Sequence, residues 1–364
     1  MNGNTRRLHE LGQSLWIDNI SRDMLADGTL ARYIDEYSVT GLTSNPTIFE
    51  KAIGAGSSYD AQIAELARGG RAGEELFFVL AVDDLARAAD LFRPVHDRTG
   101  GVDGWVSLEV SPLLIDDTRK TIEMAAKLRA QTARPNVFIK IPGTPAGVPA
   151  IEESIFAGVP INVTLLFSRE QYLAVAEAYL RGIERRLAKG HDPRVESVAS
   201  IFVSRWDTAV KDKVPSDLQN KLGIAMGRRA YQAYRELLAS PRMQKLVAAG
   251  AHPQRLLWAS TGTKDPAASD TLYVEALAAP DTVDTMPDKT LLAFADHGRV
   301  GAPMATDGGD AEAVIAAVAG QGVDVDALAT QLQKEGGAAF SKSWAALIDG
   351  LRDKTTQLAG AHAA

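Results

Sequence analysis

No cysteine occurs among the 364 residues. Its absence excludes disulfides, thiolate catalysis, iron–sulfur ligation and cysteine-built zinc sites. No apolar run approaches the ~18 residues that a membrane-spanning helix needs. Arg6-Arg7 is followed by His9, Glu10 and Gln13 where a signal peptide would carry an apolar segment, so the expectation is a cytoplasmic protein without a leader. Positive charge is not in excess. The net charge of −7 argues against nonspecific binding to nucleic acid or to an anionic membrane, and an anionic substrate would need local Arg or Lys. No Gly-x-Gly-x-x-Gly follows the first strand-like run, and Gly143-Thr144-Pro145-Ala146-Gly147 lacks the Gly-Lys-Ser/Thr of a P-loop. The histidines at 9, 96, 191, 252, 297 and 362 show no ligand spacing, so no metal site is expected.

What the chain does contain is an alternation of short apolar runs and longer amphipathic stretches. The hydrophobic content of 46 % and charged content of 23 % are ordinary for a globular protein able to bury a sizeable core. Strands are expected at 14–18, 39–45, 105–110, 137–141, 161–166, 198–203, 256–260 and 282–286. Helical patterns lie between them, among them 117–131, 169–188 and 223–238. Such alternation argues parallel βαβ units, and eight of them suggest a closed (β/α)8 TIM barrel; an open doubly wound sheet is the rival. A barrel with insertions can use all of 1–364 as one domain. A helical insertion or loop is expected near 54–75 and a helical C-terminal extension near 300–358. Within that extension, Gly336-Gly337 is expected to break the last two helices.

The run Asn136-Val137-Phe138-Ile139-Lys140-Ile141-Pro142-Gly143 organises the rest. It reads as a buried strand stopped by Pro and Gly, with Lys140 near its C-terminal end. A lysine is among the residues least often buried without a partner. Desolvation disfavours an ammonium, and a free amine is a nucleophile for a carbonyl. The alternative is a structural ion pair with a nearby carboxylate.

Alternation sorts the other strands. Val106, Leu108 and Val110 share one face, and Ser107 and Glu109 the other; Ile161, Val163 and Leu165 oppose Asn162 and Thr164; Ala199, Ile201 and Val203 oppose Ser200 and Phe202; Leu15 and Ile17 oppose Trp16 and Asp18. A barrel turns the apolar set outward onto its helices. Asp18, Asn45, Glu109, Lys140, Thr164, Ser200 and Ser260 would then converge at one mouth. Singly, a strand-end Asp, Asn or Ser is more often a helix cap or turn former; seven in register outweigh that reading. Their types suit one chemistry: a lysine amine attacks a ketone, Glu109 and Thr164 hold a water that shuttles protons, and Asp18 serves as the base. The plain alternative for Glu109 is charge compensation of Lys140, and the two roles are not exclusive. Arg205 and Lys264 follow strands six and seven and are candidates for clamping a phosphate ester, each weighed against an ordinary solvated charge. Strand two fits the alternation poorly, because Gly41, Thr43 and Ser44 blur it.

These residues resemble the transaldolase family. The resemblance runs in order through Trp16-Ile17-Asp18, Thr43-Ser44-Asn45-Pro46-Thr47, Val106-Ser107-Leu108-Glu109-Val110, Phe138-Ile139-Lys140-Ile141-Pro142 and Ile161-Asn162-Val163-Thr164-Leu165-Leu166-Phe167-Ser168. Leu257-Trp258-Ala259-Ser260-Thr261-Gly262-Thr263-Lys264 and Asp284-Thr285-Met286-Pro287 look like the long, actinobacterial-like form. The resemblance implies a (β/α)8 barrel, no cofactor, sugar-phosphate substrates and a place in the non-oxidative pentose phosphate pathway; a monomer or homodimer is expected. It implies Lys140 as the Schiff-base residue, Asp18 as general acid/base, and Glu109 and Thr164 around a catalytic water. It also implies Asn45 and Ser200 around the dihydroxyacetone portion and Arg205, Ser260 and Lys264 at phosphate, with Phe202 a further substrate-binding residue. Better-known members carry Arg where Lys264 is placed here, and Lys lacks the bidentate fork. Two other functions stay open on the residues: an aldolase that releases free dihydroxyacetone to water, and a non-catalytic sugar-phosphate binder in which Lys140 merely pairs with Glu109.

Overall fold

Eight apolar runs form eight parallel strands, and a computed structural model, which describes residues 2–361, closes them into one barrel in sequence order. The strands are β1 (Gln13–Ile17), β2 (Val39–Leu42), β3 (Val106–Glu109), β4 (Val137–Pro142), β5 (Ile161–Leu166), β6 (Ser197–Phe202), β7 (Arg255–Ala259) and β8 (Thr282–Met286). β8 pairs back onto β1, with Gln13 opposite Thr282 and Ile17 opposite Met286. Helices intervene between strands, so the (β/α)8 expectation holds. The helices at 117–131, 169–188 and 223–238 appear as Thr118–Thr132, Arg169–Ala188 and Leu222–Ala239. The first is capped by the Asp117 side chain on Lys120 N, the second by a reciprocal box between Ser168 and Gln171.

Strand alternation sorts the core into two clusters. Leu15, Ile17, Leu108, Ile139, Val163, Ile201 and Trp258 face the helices. Trp16, Phe138, Val198, Phe202, Leu257 and Val283 fill the interior with Trp105. Trp105 stacks on Phe138 with ring centroids 4.1 Å apart, and Trp16 lies 6.1 Å from Phe138. Their polar edges are satisfied: Trp16 Nε1 donates to Asp103 Oδ1 at 2.9 Å and Trp105 Nε1 to Gly101 O at 2.8 Å. This aromatic plug fills the lower barrel and leaves the C-terminal strand ends for polar side chains.

Two sequence expectations need correction. Leu165 does not share the outer face with Ile161 and Val163. It has a left-handed φ of 61°, the β5–β6 register shifts between Val163 and Leu166, and Leu165 joins the inner cluster. Nor do Gly336 and Gly337 break a helix: one helix runs through them from Val325 to Ala361. A Cβ at Gly336 would stand 2.8 Å from Leu165 Cδ2 and 3.0 Å from Arg205 Nη1, and one at Gly337 2.5 Å from Ile115 Cδ1. The pair lets the helix lie close against the barrel mouth. The region 54–75 contains the helix Asp60–Arg68 between Pro46–Gly54 and Gly73–Arg98.

Gly41 explains the poor alternation of β2. A Cβ there would come within 2.6 Å of Trp16 Nε1 and 2.7 Å of Trp105 O. The interior tryptophan and the neighbouring strand's backbone fill the space that a side chain would need. Gly41→Ala is expected to lower stability by about 1–3 kcal/mol through overpacking, read as a lower urea midpoint at unchanged slope; an unchanged midpoint would show that the plug can yield.

Candidate active site

The barrel's register brings the two central charges together. Glu109 and Lys140 are partners across β3 and β4, both at C-terminal strand ends and both buried. Glu109 Oε2 lies 3.3 Å from Lys140 Nζ, which also donates to Ser44 O at 3.3 Å. Both Glu109 oxygens and the neighbouring-strand Thr164 Oγ1 are buried without a hydrogen bond among the described residues.

Lys140 opens into a small cavity of about 130 Å³. Its lining includes Asp18, Asn45, Lys140, Thr164, Ser200, Phe202, Arg205, Ser260 and Lys264. The structure thus gathers nine of the ten sequence-derived candidates around one space, with Glu109 directly behind Lys140. Larger clefts, such as the 690 Å³ one beside His9 and Arg255, lie away from these strand ends.

Asp18 and Asn45 come from just beyond their strands rather than within them. Asp18 follows β1, and its Oδ1 accepts from Thr43 Oγ1 at 2.6 Å; Thr43 in turn meets Thr285 Oγ1 at 2.7 Å. Asn45 caps the helix Pro46–Gly54, its Oδ1 accepting from Ile48 N at 3.1 Å. The capping role and the cavity position coexist. Ser200 Oγ donates to Asn162 Oδ1 at 2.8 Å, and Asn162 Nδ2 to Ser107 Oγ at 3.1 Å, a buried chain beneath the cavity. Ser260 also falls just past its strand, at a left-handed φ of 59°, and its hydroxyl bonds that of Ser204 at 2.8 Å. The Arg205 guanidinium stacks 5.1 Å from the Phe202 ring. Lys264 lines the cavity from an exposed position.

Burial sets the electrostatics. It pushes the Asp18 carboxyl above its usual range; Lys140 and the Thr43 hydroxyl pull it partly back, while Asp288 pushes it further up. Glu109 is likewise raised by burial and partly restored by Lys140. Burial lowers the Arg205 guanidinium.

Sequence reasoning missed several lining residues. Thr43 and Thr285 stand within motifs quoted for other members; the bond of Thr43 to Asp18, and of Thr285 to Thr43, carries no signal along the sequence. Gly262 and Pro287 carry no chemical signal. Phe340 also lines the cavity, and it comes from the C-terminal helix, far from every strand in sequence. Among the described residues no group of three His, Asp or Glu stands close enough to hold a metal ion, and no helix is long and apolar enough to cross a membrane.

Fold and site together define a (β/α)8-barrel enzyme with a lysine–carboxylate centre at the C-terminal strand ends. The family model described as Transaldolase/Fructose-6-phosphate aldolase matches residues 15–351. A transaldolase of Saccharopolyspora erythraea is 44 % identical over 363 residues, covering 98 % of this chain and 99 % of that protein. Transaldolase 1 of Streptomyces avermitilis is 46 % identical over 355 residues, 95 % and 94 % of the two chains, and a transaldolase of Thiobacillus denitrificans 45 % over 352 residues, 94 % and 98 %. The chain belongs to the transaldolase/fructose-6-phosphate aldolase family.

One further buried carboxyl lies on β8, in register with the helix-facing Leu15 and Trp258. Asp284 on β8 accepts from Thr261 Oγ1 at 2.8 Å, while its Oδ2 has no partner among the described residues; burial pushes its pKa up from 3.8 to about 7. The folded state therefore holds this proton more tightly than the unfolded chain. The stability that Asp284 contributes is full below the unfolded value near 3.8 and is lost as pH rises through about 7. Asp284→Asn should remove that loss, so the variant's melting temperature should gain on the wild type between about pH 4 and about pH 7; a difference independent of pH would contradict it.

Proposed function

We propose that the chain transfers a dihydroxyacetone unit from a ketose phosphate, sedoheptulose 7-phosphate or fructose 6-phosphate, to an aldose phosphate through a Schiff base on Lys140. The observation that carries the reading is the buried Lys140–Glu109 pair opening on a cavity that Asp18 borders. The relatives' shared name, transaldolase, supports transfer to an acceptor over release to water.

Lys140 passes its ammonium proton to the paired Glu109 carboxylate, the free amine attacks the ketone carbon, and the resulting carbinolamine loses water to give an iminium. A water held by Glu109 and Thr164 relays the protons; Glu109 Oε1 and Thr164 Oγ1, buried without a hydrogen bond among the described residues, support that placement. Asp18 takes the proton of the C4 hydroxyl, the C3–C4 bond breaks, and its electron pair flows into the iminium to give an enamine. The aldose phosphate leaves, and an incoming aldose phosphate accepts the three-carbon unit by the reverse steps. A carboxyl raised by burial is suited to that exchange, because its proton affinity moves toward the working pH. Asn45, Ser200 and Phe202 surround the three-carbon unit, and Arg205, Ser260 and Lys264 hold phosphate.

The same reading places the enzyme in the cytoplasm, in the non-oxidative pentose phosphate pathway, as a monomer or homodimer that uses no cofactor. The whole chain acts as one domain: the C-terminal helix is tied to the barrel by Gln333 Nε2, which donates to Gly143 O at 3.1 Å and Leu165 O at 2.9 Å.

Lys140→Arg keeps a cation beside Glu109 and so avoids leaving a buried carboxylate unpaired. Transfer from fructose 6-phosphate to erythrose 4-phosphate should fall by more than about 10³-fold, with circular dichroism and melting temperature close to wild type. Turnover retained in this variant would remove Lys140 from its role.

A further inference from the structure

Phe340 reaches the cavity from a helix that plays no part in closing the barrel. The helix Val325–Ala361 is pinned on both sides of it. Gln333 bonds the backbone beyond β4 and in β5, Ser343 Oγ meets Thr47 Oγ1 at 2.7 Å, and Trp344 Nε1 donates to Glu74 Oε1 at 2.9 Å. Between these ties, Gly336 and Gly337 present no side chain to Leu165, Arg205 and Ile115, so the helix lies close to the mouth. The Phe340 ring, only 6 % exposed, is 5.7 Å from Lys140 Nζ and 6.0 Å from Arg205 Cζ. One apolar side chain thus overlooks both the candidate amine and the candidate phosphate clamp, at distances where an aromatic face attracts a cation.

We propose that Phe340 is a specificity-determining residue that favours the aldehyde acceptor over water. It roofs the lysine-bound three-carbon unit and helps hold Arg205 against Phe202. This rests on the Lys140 Schiff-base reading. The enamine left after aldose departure has two fates. It can attack the acceptor aldehyde through its nucleophilic carbon. Otherwise that carbon takes a proton to restore the iminium, water adds at the iminium carbon, the C–N bond breaks with return of a proton, and dihydroxyacetone leaves the regenerated Lys140 amine. The second route needs a proton donor at the enamine carbon and water at the adjacent iminium carbon, both next to the nitrogen that the apolar Phe340 ring faces at 5.7 Å. The ring also presents its face to the cationic iminium nitrogen that replaces the ammonium.

The test compares wild type, Phe340→Ala and Phe340→Leu with fructose 6-phosphate. Free dihydroxyacetone is measured without acceptor, and transfer with erythrose 4-phosphate. The ratio of release to transfer should rise by about tenfold in Phe340→Ala and by a few-fold in Phe340→Leu, and KM for fructose 6-phosphate should rise in both. Phe340→Leu retains most of the volume and answers the question if the alanine variant does not fold. A residue that only packed the helix would lower both rates together, and an unchanged ratio in a folded variant overturns the proposal. Borohydride trapping of the wild type separates the two claims: an adduct on Lys140 with an unchanged variant ratio refutes Phe340 alone, whereas no wild-type adduct refutes the Schiff-base reading beneath it.

Discussion

A buried ammonium cannot stand alone, and the pairing of Lys140 with Glu109 is the constraint that the rest of the site meets. Taking either charge out of water is costly, and removing one partner would strand the other. The barrel's register places the two at the same level on adjacent strands. A one-residue slip of β4 would turn Lys140 outward toward the helices and drive the now helix-facing Ile139 and Ile141 inward. Phe138 and Lys140 share the inner face, so the aromatic plug that fills the lower barrel also holds the strand that presents the amine. Asp18 adds a second carboxyl near the same ammonium, and the like charge adds to the upward push on Glu109. One cation thus supports two carboxyls, each raised by burial.

The barrel is divided into two storeys. Trp16, Trp105 and Phe138 close the lower one; polar strand ends and the turns after them form the upper. The C-terminal helix supplies the roof. Its two glycines would be poor choices in an isolated helix, where each costs roughly 1 kcal/mol relative to Ala. Here they allow the close approach that brings Phe340 over Lys140. The part of the chain that catalytic chemistry did not call for thus shapes the space in which that chemistry would occur.

Much of this was legible in the sequence because strand alternation is a local property. The inward placement of Trp16, Phe138, Lys140, Thr164, Ser200 and Phe202 follows from parity alone, once the strands are located. Strand ends were less legible: Asn45 and Ser260 lie beyond their strands, because a cap and a left-handed turn follow there. Leu165 escaped parity because a register shift turns it toward the mouth. Gly336-Gly337 was misread because a glycine pair signals either a break or a close contact, and only the tertiary neighbours decide which. Phe340 was invisible for the same reason: its distance to Lys140 is fixed by helix docking, not by any spacing along the chain.

The most direct test of the account is borohydride reduction in the presence of fructose 6-phosphate, followed by intact and peptide mass spectrometry. The account predicts one reduced dihydroxyacetone adduct, on the peptide bearing Lys140. An adduct on another lysine, or none in a folded protein that binds the sugar, would contradict the assignment of the buried Lys140–Glu109 pair as the reacting centre.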